Sequence, residues 1–250
     1  MRWSVWQALH WVFPTCCMVC HKTISSEISL CSHCEQQLPW LRNYCHGCGL
    51  EFDAVKLPAH LCGQCAGKDW DVDACHGLFH YSAPLNRLIP AFKFQARFDI
   101  GYSLARLLGA AMSKHYQQHN APDLLLPVPQ HYRRHLHRGF NQSWELVQEV
   151  GRVTAIPYSN KLLKKHKHTR AQSELGSARE RARNLAGAFK LAPEFELGNV
   201  NRVTIIDDVV TTMATVSALA KLLKSHGIQG IEVWCVARAG TGNQSRPGNA

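Results

Sequence analysis

A chain of 250 residues with 46% apolar content can bury one substantial core, or a mid-sized core beside a small module that needs help to fold. The formal net charge of +10 favours anionic partners such as phosphate esters, nucleic acid or acidic lipid, without choosing among them. No apolar run approaches the roughly 18 residues of a membrane helix, so no membrane span is expected.

At the start of the chain, Arg2, Trp3, Trp6 and Phe13 are interleaved with Gln7 and His10, which reads as an amphipathic stretch and not a signal peptide. Pro14-Thr15-Cys16 offers no small-residue cleavage site. A cytoplasmic, reducing setting is therefore expected, which weakens a disulfide scaffold as the reading of the many cysteines.

Ten of the eleven cysteines lie before residue 76, and eight of them form C-x-x-C pairs: Cys17 with Cys20, Cys31 with Cys34, Cys45 with Cys48, and Cys62 with Cys65. One such pair would be weak evidence, but four close together suit tetrahedral thiolate sites for two Zn²⁺ ions. Cys16 is the alternative to Cys17 as a ligand, although the two-residue spacing favours Cys17. Whether the pairs close sequentially or cross-braced is left open. With every position filled by sulfur, no place remains for water, so the metals are expected to be structural. They would supply folding energy to a segment, residues 1–75, too small to bury its own core and expected to fold apart from the rest of the chain.

From residue 76 onward the apolar runs lengthen. Gly77–Tyr81 is predicted as a short strand, and Leu85–Phe94 and Tyr102–Gln118 as helices. Asp123–Pro129 reads as a buried strand ending at a proline-limited turn, Ser143–Thr154 as a helix, and the region of Ile156 as a short strand. Lys161–Lys190 carries nine Lys or Arg against Glu174 and Glu180 and reads as a long mobile loop with some helix. Arg202–Val210 is a predicted strand, Val216–His226 a helix stopped by Gly227, and Ile231–Ala237 the last strand. Strands alternating with helices imply a mostly parallel sheet over residues 76–240, with its site at the carboxyl ends of the strands. Residues 241–250 are expected to be a disordered tail.

The segment Val203–Thr215 places Asp207 and Asp208 at the end of a buried strand, followed by Thr211, Thr212, Met213, Ala214 and Thr215 at the start of a helix. Loop amides and a helix N-terminus can hold a phosphate, hydroxyls add donors, and carboxylates can accept from ribose hydroxyls. An acidic strand end also occurs in P-loop ATPases, but no G-x-x-x-x-G-K-[ST] segment is present.

Here the sequence resembles the phosphoribosyl-diphosphate motif of type I phosphoribosyltransferases in its ComF/GntX-like form. The resemblance also rests on the cysteine-rich start, on Pro127-Val-Pro-Gln-His131 with Arg138-Gly-Phe-Asn-Gln142, and on His168-Thr-Arg-Ala-Gln172 with Glu180-Arg-Ala-Arg-Asn184. It implies a double zinc ribbon ahead of an α/β, parallel-sheet phosphoribosyltransferase-like domain, in proteins of competence, DNA uptake or use of external DNA. It further implies a phosphoribosyl diphosphate or nucleotide-like ligand accompanied by Mg²⁺. In that reading Asp207 and Asp208 orient ribose, residues 211–215 hold its 5′-phosphate, Arg138 faces the diphosphate, and Arg170 belongs to a closing loop. Met213 stands where the family usually has Gly, a residue that lets the backbone approach phosphate and take φ > 0 without a Cβ clash.

If the domain catalyses, the reaction implied is displacement of pyrophosphate at the anomeric carbon by a phosphoribosyltransferase. The competing reading is a non-catalytic, zinc-containing platform for single-stranded DNA, with a competence helicase or another DNA-processing protein as partner. The basic segment 161–190 suits either a catalytic lid or a phosphate-tracking surface.

Overall fold

The computed structural model describes residues 15–51, 61–67, 71–132, 136, 138–166, 187–193 and 198–240. The expected disordered tail and the catalytic candidate Arg170 lie outside them.

A two-stranded turn, β1 (Thr15–Cys16) with β2 (Thr23–Ile24), opens the described chain and is followed by a single helical turn, α1 (Ser32–Gln36). The body is a four-stranded, wholly parallel sheet in the order β3-β8-β7-β4. Its strands are β3 (Ala74–His80), β4 (Leu124–Pro127), β7 (Arg202–Val210) and β8 (Gly230–Arg238). Among the described residues, four helices cover it: α2 (Leu85–Gln95), α3 (Phe98–Tyr116), α4 (Gln142–Thr154) and α5 (Ala214–Lys224). This is the parallel α/β domain behind a cysteine-rich module that the sequence predicts.

Strand residues alternate between two apolar layers, as a sheet buried on both faces requires. Leu125, Ile206, Trp234 and Val236 join the layer made by α2, α3 and α4. Leu124, Leu126, Val203, Ile205, Ile231 and Val233 join the layer that includes α5. The first layer is tight enough to exclude side chains at two helical glycines: a Cβ on Gly101 would overlap the Phe92 ring, and one on Gly109 would lie 2.8 Å from Val153 Cβ. Helix α4 starts at Asn141, whose side chain accepts from Ser143 N at 3.1 Å and donates to Val128 O at 3.1 Å, fixing the helix against the end of β4.

The charged segment departs from its prediction. Its two roots pair antiparallel as β5 (Leu163–Lys165) and β6 (Phe189–Leu191), because Leu162, Leu163 and Phe189 are buried while the lysines between them face outward or half outward. Residues 167–186 lie outside the described residues. The strand expected near Ile156 is reduced to one parallel bridge between Leu125 and Tyr158.

The cysteine-rich segment shares the core of the α/β domain. Cys17, Met18, Leu30, Cys34 and Leu38 pack in one apolar cluster with α2, α3 and α4, and Ser29 N donates to Ser103 Oγ of α3 at 2.8 Å. Residues 39–41 line the outer edge of β3, with Leu41 N on Leu78 O at 3.0 Å and His80 N on Pro39 O at 2.8 Å. They cover an edge that would otherwise present unpaired backbone. The boundary expected at 75/76 falls inside β3.

Candidate functional site

The C-x-x-C pairs assemble sequentially, Cys17, Cys20, Cys31 and Cys34 in one group and Cys45, Cys48, Cys62 and Cys65 in the other, with ligand atoms within 4.8 Å of one another. Cys16 stays exposed on β1, so Cys17 takes the ligand position. None of the cysteines is in a disulfide. Zinc–sulfur bonds of about 2.3 Å in a tetrahedron put neighbouring sulfurs roughly 3.8 Å apart. Cys20 Sγ to Cys31 Sγ is 3.9 Å, and Cys48 Sγ to Cys62 Sγ is 3.8 Å. Amides are already aimed at the sulfurs, Cys34 N at Cys31 Sγ (3.5 Å) and Cys62 N at Cys45 Sγ (3.2 Å). Burial pushes the Cys17 thiol up, but amides of Cys20, Cys31 and Val19 outweigh it and hold it at about 6. These two all-thiolate groups fit two structural Zn²⁺ ions. Gly49, at φ +70°, closes the second knuckle where a Cβ would press on Cys75 O at 3.0 Å.

The acidic pair lies at the carboxyl end of β7. Asp207 Oδ1 accepts from Ser143 Oγ at 2.9 Å and from the Asp208 amide at 2.9 Å. Asp208 Oδ1 accepts from Val209 N at 2.6 Å, and its Oδ2 is paired with Lys93 Nζ of α2 at 2.9 Å. Asp207 keeps partial solvent access, yet burial and the neighbouring Asp208 charge raise its carboxyl from 3.8 to about 7, against the pull of Lys93, Ser143 and the Asp208 amide.

That shift has a consequence for stability. Asp207 keeps its proton in the fold up to about pH 7 but loses it near 3.8 when unfolded, so the folded state binds more protons between those values and its stability falls as pH rises through them. Asp207→Asn cannot ionise. Its melting temperature relative to wild type is expected to rise between pH 4.5 and pH 8; a difference that does not change with pH would show that Asp207 ionises normally.

Beyond β7, Thr211 is exposed, Thr212, Ala214 and Thr215 are half-buried, and Met213 is buried. Met213 caps α5 at φ +64°, ψ −8°, so the backbone adopts the left-handed geometry that glycine favours. Its side chain packs into the core layer of α5, which offsets a local cost of about 1–2 kcal/mol.

Arg138 donates to Gln142 Oε1 at 3.1 Å and lies 4.6 Å above the ring of Phe94, itself 65% exposed beside Lys93. Since Gln142 precedes Ser143, Arg138 reaches the same corner as the acidic pair. Among the described residues, buried side-chain atoms without a hydrogen-bond partner include both amide atoms of Gln130, Gln142 Nε2 and Thr212 Oγ1. These residues follow β4, begin α4 and follow β7, all at the carboxyl edge of the sheet, where buried polar groups left unpaired cost about 1–3 kcal/mol each.

Sequence reasoning missed Lys93, Ser143 and Phe94, and also Arg238. The buried Arg238 donates through Nε to Cys48 O at 2.6 Å, and through Nη1 to Val210 O at 2.8 Å, Ala239 O at 2.7 Å and Thr211 O. One guanidinium thus ties the second cysteine knuckle to the loop after β7. A basic residue closing a strand gave no signal of this, because its partners come from distant segments.

Residues 8–66 match the double zinc ribbon domain family. Competence protein F of Haemophilus influenzae is 38% identical over 89% of this chain and 96% of that protein. The DNA utilization protein YhgH of Escherichia coli K12 is 34% identical over 90% of this chain and 97% of that protein. A hypoxanthine phosphoribosyltransferase from Staphylococcus aureus superposes with a TM-score of 0.36 at 15% identity, covering 55% of this chain and 62% of that one, a likeness too loose to carry an argument.

Proposed function

The chain belongs to the family of competence protein F and DNA utilization protein YhgH, and from that premise we propose that it serves DNA uptake or use of external DNA through a ligand cleft at the carboxyl edge of its sheet. The ligand is phosphoribosyl diphosphate or a related nucleotide. The observation that carries this reading is the partly accessible Asp207 at the carboxyl end of β7, followed directly by the hydroxyl-bearing turn Thr211–Thr215 that opens α5.

In this reading Asp207 and Asp208 accept from ribose hydroxyls and the Thr211–Thr215 turn holds the 5′-phosphate at the start of α5. Arg138 neutralises the diphosphate, and Phe94 offers a face for a base. Asp208 is already neutralised by Lys93, so a Mg²⁺ ion would arrive on the diphosphate oxygens and not in a protein cage. When bound, the ion would disperse charge on a departing pyrophosphate. Titration with phosphoribosyl diphosphate and Mg²⁺ tests the reading: saturable binding at one site per chain is expected, and no binding at millimolar ligand would overturn it.

The second reading, a platform for single-stranded DNA that docks a competence helicase or another DNA-processing protein, is favoured by the exposed Phe94 ring and by the basic segment rooted on β5 and β6. Base stacking on an aromatic face, combined with Lys and Arg along the backbone, is how such strands are held without sequence preference. Replacing Lys161, Lys164, Lys165 and Lys167 by Ala should flatten the salt dependence of DNA affinity by about 0.7 for each phosphate no longer neutralised. Identical slopes for wild type and variant would remove this segment from DNA binding.

A further inference from the structure

At the amino end of the sheet, opposite the cleft, three potential ligands meet: His76 of β3, His115 in the last turn of α3, and Glu232 of β8, with ligand atoms within 4.8 Å of one another. From this convergence and the unpartnered, buried Nε2 of His76 we propose a third metal site, for a divalent transition-metal ion such as Zn²⁺, held by His76, His115 and Glu232.

His76 is 5% exposed and its ring stacks on Trp234 at 4.4 Å. Its Nδ1 is engaged by the Tyr44 hydroxyl at 3.0 Å, while Nε2 has no hydrogen-bond partner among the described residues. That division suits a ligating histidine, in which a hydrogen bond at one ring nitrogen fixes the tautomer and orientation that present the other. Glu232 is oriented in the same manner, by the Tyr116 hydroxyl on Oε2 at 2.8 Å and more loosely by Arg202 Nη2 on Oε1 at 3.4 Å. His115 is braced by the parallel ring of His119 at 4.0 Å.

An orphaned imidazole nitrogen in the interior is destabilising, and a metal bond would offset that cost. Two nitrogens and a carboxylate oxygen select borderline ions such as Zn²⁺, Co²⁺ or Ni²⁺ over Mg²⁺ or Ca²⁺. Because His115 and Glu232 are only half-buried, water can complete the coordination, unlike at the all-sulfur groups. The site shares no residue with the proposed ligand cleft and stands or falls separately from it.

The test uses untagged full-length protein already carrying two Zn²⁺ at its cysteines. Titrated with Zn²⁺ against a chromophoric chelator, it should bind a third equivalent, weakened at least tenfold in His115→Ala and in Glu232→Gln. Both variants alter half-buried side chains, and circular dichroism reports whether each remains folded. Co²⁺ offered as the third ion should give a spectrum without thiolate-to-metal charge transfer, which separates this site from the cysteine groups. Absence of a third equivalent in wild type, or its undiminished binding in both variants, would overturn the assignment.

Discussion

Withdrawal of zinc from the first cysteine group is expected to loosen the α/β domain together with the cysteine-rich segment. Structural Zn²⁺ contributes about 10–16 kcal/mol of apparent binding energy, comparable to the whole stability of a typical domain, about 5–15 kcal/mol. Here that energy holds Cys17 and Cys34 inside the same apolar cluster as Leu104, Leu108 and Met112 of α3. Released, the segment would expose that face of α3 and strand the amide of Ser29 that now reaches Ser103. Hydrogen exchange during chelation, or in Cys17→Ser, should therefore show protection falling at α3 along with residues 15–51. If α3 kept its protection while those residues exchanged freely, the two parts would be energetically separate units, the arrangement that composition and spacing alone suggest.

Arg238→Ala is expected to be the most damaging single change outside the cysteines. It would leave the carbonyls of Cys48, Val210, Thr211 and Ala239 without their shared donor and open a cavity beside Gly49, where an added Cβ would lie 3.5 Å from Arg238 Cδ. Breaking charged hydrogen bonds in the interior should cost about 4 kcal/mol, or roughly 10 °C in melting temperature for a chain of this size. Arg238→Lys should recover only part of it, because a point donor cannot span carbonyls on separate segments. Thermal melts of both variants test this. A shift below about 2 °C for Arg238→Ala would mean that the knuckle and the β7 loop are held by other interactions.

What the sequence disclosed depends on how local each signal is. The cysteine groups were legible because each ligand pair is set by a two-residue spacing, and the acidic strand end because the mostly apolar run Val203–Val210 is interrupted by Asp207 and Asp208. The sequential closure of the groups was not legible, since it depends on how the intervening segments return. Lys93 reaches Asp208 only because α2 packs beside the end of β7, and Ser143 reaches Asp207 only because Asn141 pins the start of α4 to Val128. Neither interaction leaves a periodicity to detect. The short strands β5 and β6 were hidden because Lys164, Lys165 and Lys190 occupy half of their six positions, leaving only Leu163, Phe189 and Leu191 as an apolar signal. Met213 combines both kinds of information: the sequence marks it as a residue in a glycine's place, and only the fold reveals that its side chain turns into the core.

The most direct test of the cleft is phosphoribosyl diphosphate binding, in the presence of Mg²⁺, by wild type and by the Asp207→Asn, Asp208→Asn double variant. Asp207 keeps partial solvent access, whereas Asp208 is buried against Lys93, so circular dichroism and zinc content are read first to establish that the variant is folded; its affinity is then expected to fall by at least a hundredfold, about 2.7 kcal/mol. A folded variant that binds the diphosphate sugar as tightly as wild type would contradict the assignment and move the ligand site away from the acidic strand end.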